Sequence, residues 1–378
     1  MANTNVSSGQ PELKTEVVVI GAGPAGLAVA ACLNRAGVPF VILERDDCVG
    51  SAWRRHYDRL HLHTSRRYSG LPHFPFPADY PTYPSRLQVV AYFEAYAQHF
   101  DIEPHYRQAV VSVRAQDGLW ETQTQGSRFA SRNVVIATGI NHQPVLPTWP
   151  GQDSFQGNIT HSAEYRNGEA YRGKSVLVVG FGNSGAEIAL DLWEHGAQPS
   201  LSVRSAVNVI SRDVMGFPIQ RLSILTSGLP APLVDALTTP MSRLRFGDLR
   251  AYGLQKASYG SATQVRTYSK IPVIDVGTIK LIKQGHVKVY GGLEAFTQAG
   301  VRFSDGRQAP FESVILATGY RPGFSSFLPS ASLPAPGEVS SAPGLYFCGF
   351  HNSSGGLLRE ISREALRIAD AVASREGQ

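Results

Sequence analysis

Two runs of the chain are apolar without alternation: residues 16–20 (Glu-Val-Val-Val-Ile) and 175–179 (Ser-Val-Leu-Val-Val). Short continuous runs rich in β-branched residues predict strands covered on both faces. Each run stops at a glycine-rich turn, and an Ala/Leu-rich helical stretch follows. A second strand closes each unit, at 38–43 in the first and 199–203 in the second. The same pattern written twice predicts an α/β chain of two similar Rossmann-like, three-layer domains.

The remaining segments fall around those two units. Residues 54–86 are dense in Pro, His, Tyr and Arg and read as an ordered loop inserted into the first unit. Residues 88–100 have helical periodicity, and 110–113 and 120–124 read as strands of a small antiparallel excursion. Residues 133–139 read as a buried strand ending in Ala-Thr-Gly, and 311–320 repeat that strand and its ending. The Pro-rich stretch 144–150 reads as a linker. Residues 219–243 are apolar and helical, interrupted at Pro230 and Pro232, and read as a helical pair covering a cavity; thin Lys/Arg flanking disfavours the alternative, a membrane-surface helix. Another buried strand spans 344–349, and an amphipathic helix runs from Leu357 to about Ala373. The chain thus returns to its first domain at its end. The expected division is a disordered tail at 1–14, a discontinuous first domain at 15–154 and 311–378, and a second domain at 155–310.

The turns carry the chemistry. Gly21-Ala22-Gly23-Pro24-Ala25-Gly26 and Gly180-Phe181-Gly182-Asn183-Ser184-Gly185 both fit G-x-G-x-x-G. The first Gly allows a tight turn, the second lets backbone N–H groups approach a pyrophosphate, and the third lets helix and strand pack closely. The helix N-terminus then offers unpaired donors and a positive dipole end to the phosphates. One such turn is weak evidence. Two, each between a strand and a helix, point to electrons passing from one dinucleotide to another. The residues closing the second strands separate the nucleotides. Glu44, followed by Arg45, puts a carboxylate where ribose hydroxyls donate, as in FAD or NAD sites. Arg204 and Ser205 put a cation in the equivalent place, which suits the 2′-phosphate of NADPH.

Composition narrows the class without altering that picture. The chain has 378 residues, of which 43% are hydrophobic and 17% charged, as in an ordinary enzyme of two or three domains. The formal net charge of +5 is mild, and no basic run or aromatic-interleaved Lys/Arg cluster calls for a nucleic acid. No apolar run reaches the length of a membrane span. Cys32, Cys48 and Cys348 form neither C-x-x-C nor a metal-ligand spacing, so no metal and no disulfide-reductase chemistry is expected. The odd cysteine count and the lack of a signal peptide point to the cytoplasm. Cys348 reads as a small buried residue rather than a redox thiol.

Between the two units stands Phe155-Gln156-Gly157-Asn158-Ile159-Thr160-His161-Ser162-Ala163-Glu164-Tyr165, spaced F-x-G-x-x-x-H-x-x-x-Y. With a glycine fingerprint on either side, the chain resembles the class B flavin-containing monooxygenases from residue 16 to about 373. Within that group it looks most like the plant YUCCA-type indole-3-pyruvate monooxygenases and their bacterial relatives. The matching stretches include Tyr80-Pro81-Thr82-Tyr83-Pro84-Ser85, Tyr252-Gly253-Leu254 and Ile271-Pro272-Val273-Ile274-Asp275-Val276-Gly277. Arg166 follows Tyr165, where Baeyer–Villiger enzymes carry Trp-Pro or Trp-Asp.

The resemblance implies FAD and NADPH as cofactors, with a small organic substrate and O2 as partners. It implies insertion of one oxygen atom through a flavin C4a-(hydro)peroxide. The outcome is amine or sulfide oxygenation, or oxidative decarboxylation of an aryl 2-oxo acid such as indole-3-pyruvate. The alternatives are a Baeyer–Villiger monooxygenase and a flavin-dependent pyridine-nucleotide reductase without oxygenation. The cofactor carries the difficult chemistry and the protein supplies position and field.

By the same resemblance, Gly21, Gly23, Pro24, Ala25, Gly26, Glu44 and Arg45 hold FAD. Gly50 and Trp53 form a G-x-x-W turn beside the flavin. His61, His63 and Thr64 pass near the isoalloxazine, Tyr83 lies beside flavin or nicotinamide, and Val110 meets the adenine. Ala137, Thr138 and Gly139 end one cofactor strand; Ala317, Thr318, Gly319 and Tyr320 end the other. Leu357 starts the helix aimed at the pyrimidine ring. Gly180, Gly182, Asn183, Ser184 and Gly185 approach the NADPH phosphates, and Arg204 and Ser205 the 2′-phosphate. Thr64, His63 and Asn183 are the candidates for chemistry, and Gly157 and His161 shape the linker. The helices around 219–243 offer a surface for pairing two copies as a homodimer.

Overall fold

Alternation along the first strand divides its neighbourhood into two cores. In Glu12–Ile20, Val17 and Val19 enter one cluster while Val18 and Ile20 enter another, and all four are buried. A strand buried on both sides needs a layer on each. The structure, a computed structural model, describes residues 12–214 and 216–376. Its first sheet runs in the order Phe40–Leu43, Glu12–Ile20, Arg128–Ile136, Leu345–Phe347, Ser340–Ala342. The first four strands are parallel, and the last is an antiparallel edge. The hairpin of Val110–Gln116 and Leu119–Thr124 joins antiparallel to Arg128–Ile136, the excursion expected from the sequence. Helices Pro24–Arg35, Arg86–His99 and Leu357–Glu376 cover one face. Phe324, Phe327, Phe347 and Phe350 pack edge-to-face or nearby on the other.

The second sheet repeats this construction. Val176 and Val178 face one cluster, Leu177 and Val179 the opposite one. The order is Lys288–Tyr290, Gln198–Ser202, Ser175–Val179, Ser313–Leu316, Asn158–His161, all parallel. Helices Asn183–Glu194 and Thr278–Lys283 cover one face. The antiparallel strands Leu293–Thr297, Gly300–Phe303 and Gln308–Pro310 cover the other. Helices Ile219–Leu225 and Ala231–Phe246 stand off this sheet. No helix among the described residues is long and apolar enough to cross a membrane.

Two boundaries differ from the sequence reading. The first strand begins at Glu12, so residues 12–14 join a strand rather than a tail, while 1–11 lie outside the described residues. The expected break at 311 falls just before a central strand of the second sheet. Ser313–Leu316 pairs with Ser175–Val179 on one side and Asn158–His161 on the other. It occupies in its own sheet the place that Arg128–Ile136 occupies in the first. An apolar repeat shows that two such strands exist but carries no mark of which sheet each one joins. The chain re-enters the first unit afterwards, at the cluster holding Phe324, Phe327 and Leu328.

Candidate functional site: two glycine turns and the cavities between them

The first turn is built so that backbone can touch backbone. Gly21 adopts φ +106°, and a Cβ there would stand 2.8 Å from the Ala137 carbonyl oxygen. A Cβ on Gly26 would collide with the carbonyl of Gly21 itself. Gly23 is the opposite case. A Cβ there would meet nothing within 4 Å, so the turn's outer rim is open. Pro24 starts the helix, where its missing N–H costs nothing. The rim faces a cavity of about 520 Å³ whose wall includes Gly21, Gly23, Pro24, Ala25, Glu44 and Arg45. Trp53, Val110, Ala137, Thr138, Gly139, Tyr320 and Leu357 complete much of it.

The donor set of this cavity fits a flavin dinucleotide. Glu44 is 5% exposed; its carboxylate accepts the Ala22 N–H at 2.7 Å and the Asp46 N–H at 3.0 Å. An ionised carboxylate has about four acceptor positions, so two remain for ribose hydroxyls. The Thr138 hydroxyl is buried in the same wall without a hydrogen-bond partner. Such an atom fits a polar ligand group within the cavity. The first turn of Leu357–Glu376 stands across the cavity from Gly21 and Gly23 and presents its donor end there. Arg45 holds His142 through a 2.8 Å contact at the rim. Gly50 is not on this wall. It takes φ +63°, and a Cβ there would press on Phe93, so it sets the helix Ser51–Arg55 that aims Trp53. Trp53 lies edge-on to both His56 and Phe93.

The second turn copies the first in backbone and differs in surroundings. Gly180 has φ +111°, its absent side chain makes room for the Ala317 carbonyl, and Gly185 does the same for the Gly180 carbonyl. Gly182 is open within 4 Å, as Gly23 is. At the end of the next strand, however, Arg204 and Ser205 are exposed. Arg204 has no hydrogen bond or ion pair among the described residues and leans against Gly292. Thr318 donates to the Val145 carbonyl at 2.6 Å, and Gly319 turns at φ +86° toward Tyr320.

A larger cavity of about 980 Å³ opens between the units. It shares Pro24, Trp53, His56, Asn141 and Leu357 with the smaller one. His61, His63 and Thr64 line it from the insertion, Asn183 and Ser184 from the second turn. The three candidates for chemistry meet here, and each has a partner. His63 Nε2 lies 2.8 Å from Glu187 Oε1, on the helix Asn183–Glu194, while His63 Nδ1 is buried without a partner. The Thr64 hydroxyl lies 2.8 Å from that of Ser69. Asn183 Oδ1 accepts the Ile274 N–H at 2.8 Å, so this side chain ties the helix start to strand Val273–Asp275. His56, on the shared wall, is pushed down to about 4, first by burial and then by Arg86, Arg166 and Arg55.

Tyr83 stands one residue back from the large cavity: its hydroxyl donates at 2.6 Å to Asp213, which lines that cavity, and Arg212 lies 4.1 Å over its ring. Asp213 and Arg212 come from the second unit, so this contact is tertiary. Burial and Asp213 together push the Tyr83 hydroxyl well above its ordinary range.

Sequence reasoning missed three residues that hold the insertion and the linker stretch in place. Glu187 is 3% exposed and meets His63 from the other unit. Gln220, buried, accepts the Ser65 N–H at 2.8 Å and donates to the Gly355 carbonyl, linking the insertion to the loop before the last helix. Asp191, buried, accepts the Tyr165 hydroxyl at 2.6 Å. No spacing in the chain marks them, because each partner lies in a distant segment.

The F-x-G-x-x-x-H-x-x-x-Y stretch is architecture. Phe155 is core, and a Cβ on Gly157 would strike its ring. His161, 2% exposed, accepts the Ala163 N–H at 3.1 Å and stands edge-on to Tyr320, 5.1 Å between ring centres. Burial lowers its pKa and holds it neutral. Tyr165 anchors the stretch to the second-unit helix through Asp191. Cys348 is fully buried and its thiol is pushed up by burial, which leaves it inert.

Two glycine fingerprints, a buried ribose-type carboxylate and a joint cavity define a flavoprotein with two dinucleotide-binding units. Comparison with known proteins sharpens this. The model of the flavin-binding monooxygenase-like family matches residues 14–333, and the chain belongs to that family. It is 42% identical to the rice (Oryza sativa subsp. japonica) indole-3-pyruvate monooxygenase YUCCA1, covering 94% of this chain and 90% of that one. It is 41% identical to the probable indole-3-pyruvate monooxygenase YUCCA7 of Arabidopsis thaliana, covering 94% of this chain and 87% of that one. A flavin-containing monooxygenase from Stenotrophomonas maltophilia superposes with a TM-score of 0.74 at 23% identity, over 96% of this chain and 99% of that one. The protein is a flavin-dependent monooxygenase that uses FAD and NADPH.

Proposed function

We propose that this monooxygenase acts on an aryl 2-oxo acid such as indole-3-pyruvate and decarboxylates it oxidatively. The balance is one 2-oxo acid, one O2, one NADPH and one proton going to the shortened acid, CO2, water and NADP⁺. Bound FAD supplies the electron relay that activates O2. The observation that carries the reading is the large cavity between the units, which meets the FAD cradle at Trp53, His56 and Leu357. Relatives named for indole-3-pyruvate, about two-fifths identical over most of the chain, give the substrate class.

The chain's own residues bind and orient. The 520 Å³ cavity holds FAD through Gly21, Gly23, Glu44 and Thr138. Asn183 and Ser184 present the second helix start to the NADPH pyrophosphate, and Arg204 meets its 2′-phosphate. Half-buried, neutral His56 and the edge of Trp53 keep charge and water away from the junction. His63, held by Glu187, fixes the insertion against the second unit with Thr64 beside it. The discontinuous FAD unit and the central NADPH unit close on one another at this place. The working compartment is the cytoplasm, which supplies NADPH.

Screening thioethers, amines, ketones and aryl 2-oxo acids for substrate-coupled NADPH consumption tests the reading. Stoichiometric CO2 from an aryl 2-oxo acid is the expected result. Coupled turnover of thioethers or amines, with none for any 2-oxo acid, overturns it.

A further inference from the structure

The helices that roof the large cavity carry an apolar face turned to solvent. Leu225 is 73% exposed, Leu233 49%, Leu237 59% and Leu244 91%, and Leu229 and Met241 are also exposed. From Leu225 to Met241 the spacing is four residues at each step, and Leu244 follows three later. At about 100° per residue, Leu233, Leu237, Met241 and Leu244 fall within an arc of roughly 80° on helix Ala231–Phe246. The opposite side of that helix faces the protein: Asp235 and Phe246 are buried there, Val234 and Thr238 line the cavity beside the stripe, and Met241, Leu244 and Arg245 stand where the stripe meets the cavity mouth. So the stripe is not core. Large contiguous apolar patches on a surface mark a place where something docks.

The charges around the stripe say what docks. Between residues 217 and 246 the charged side chains are Arg221, Arg243, Arg245 and Asp235. Asp235 is buried and accepts the Ala262 and Thr263 N–H groups at 2.7 and 3.0 Å, so it offers nothing outward. The three arginines are exposed, and Arg221 lies 5.1 Å over the ring of Phe217, itself 57% exposed. A face of leucines rimmed by cations is complementary to an anionic lipid surface, where the apolar stripe enters the acyl boundary and the arginines meet headgroup phosphates. Two copies meeting about a two-fold axis would bring the same cations together, which disfavours the homodimer expected from the sequence.

We propose that the roof Ile219–Leu225 and Ala231–Phe246 is a peripheral docking face for an anionic bilayer. The same helices wall the 980 Å³ cavity, so docking sets its roof against the bilayer surface.

The test uses the full chain with FAD bound and sedimentation on two vesicle types. One is phosphatidylcholine alone; the other contains about one-third phosphatidylglycerol. The bound fraction on anionic vesicles is expected to exceed that on neutral ones by about tenfold, and to fall as salt rises. Leu225→Gln/Leu233→Gln/Leu237→Gln lowers binding to the neutral-vesicle level. Arg221→Gln/Arg243→Gln lowers binding about tenfold and keeps bound FAD. Equal sedimentation of the parent chain on both vesicle types overturns the proposal. So does light scattering that shows a dimer which the leucine variant turns into a monomer, since a second copy then covers the face. If the leucine variant loses its flavin absorbance, the arginine variant decides alone, and unchanged binding by it overturns the proposal.

Discussion

The two glycine turns are near-duplicates in backbone and opposites in what surrounds them. Gly21 and Gly180 share φ values of +106° and +111°, and Gly26 and Gly185 each make room for the carbonyl of the turn's own first glycine. At the end of the following strand the likeness stops. Glu44 is buried and held by two backbone N–H groups, inside a cavity walled by both the first and the last helix. Arg204 stands in solvent with no such frame. An enclosed carboxylate with fixed geometry suits a cofactor that stays. An exposed arginine suits one that arrives, is held by its phosphate and leaves. On the proposed function, identical turns share a grip on pyrophosphate, and the strand ends make one site a holder and the other a docking place.

The comparison breaks most visibly at the third glycines. Gly26→Ala forces a methyl into the Gly21 carbonyl, and the purified protein is expected to lose about nine-tenths of its flavin absorbance. Gly185→Ala makes the same clash in the second turn. It is expected to leave the protein yellow and reducible by dithionite, while anaerobic reduction by NADPH slows about a hundredfold. Flavin loss in both variants, or in neither, contradicts the division between the turns.

The strand ends should show a smaller contrast. Glu44→Gln replaces a charged acceptor of two buried N–H groups, a change of about 1.5–3 kcal/mol, so the FAD dissociation constant rises roughly ten- to hundredfold in equilibrium titration. Arg204→Gln is expected to raise the NADPH concentration for half-maximal reduction about tenfold, to leave NADH unaffected and to leave flavin content unchanged.

A contrast in pH dependence concerns the wall shared by the two cavities. His56 is half-buried and neutral, with its pKa lowered to about 4 from 6.5. The unfolded chain therefore takes up this proton first. The contribution is fully present above about pH 6.5, declines as pH falls toward 4, and levels off below that. The unfolding free energy of the parent chain should fall relative to that of His56→Gln by at most about 3 kcal/mol across that window. Parallel pH profiles refute the assignment.

Much of this was legible in one dimension, and unevenly so. That Gly21, Gly23 and Glu44 share one cavity wall could be read from the sequence. Gly21, Gly23, Gly26 and Glu44 are separated by one strand–helix–strand unit, so local chemistry and short spacing sufficed. The linker motif was visible too, but its meaning was not. Tyr165 turns out to hold Asp191, and Gly157 yields to the ring of Phe155. Tyr83 shows the limit. Its Tyr-Pro-Ser setting gave no sign that the second unit's Asp213 and Arg212 would be its partners.

The amino-acid order by itself determined that there are two nucleotide units, what each strand end offers to a ribose or a phosphate, and that no cysteine pair competes for the electrons. Those features are written in neighbours and in short periods, where backbone sterics leave few options. Tertiary structure decided the rest: which sheet receives Ser313–Leu316, that Glu187 meets His63, that Gln220 pins the loop before the last helix, and that a leucine stripe faces outward. Each is a pairing or an exposure set by segments far apart in the chain. Such contacts depend on how whole layers pack, and the periodicity of a single segment holds no record of what comes to lie against it.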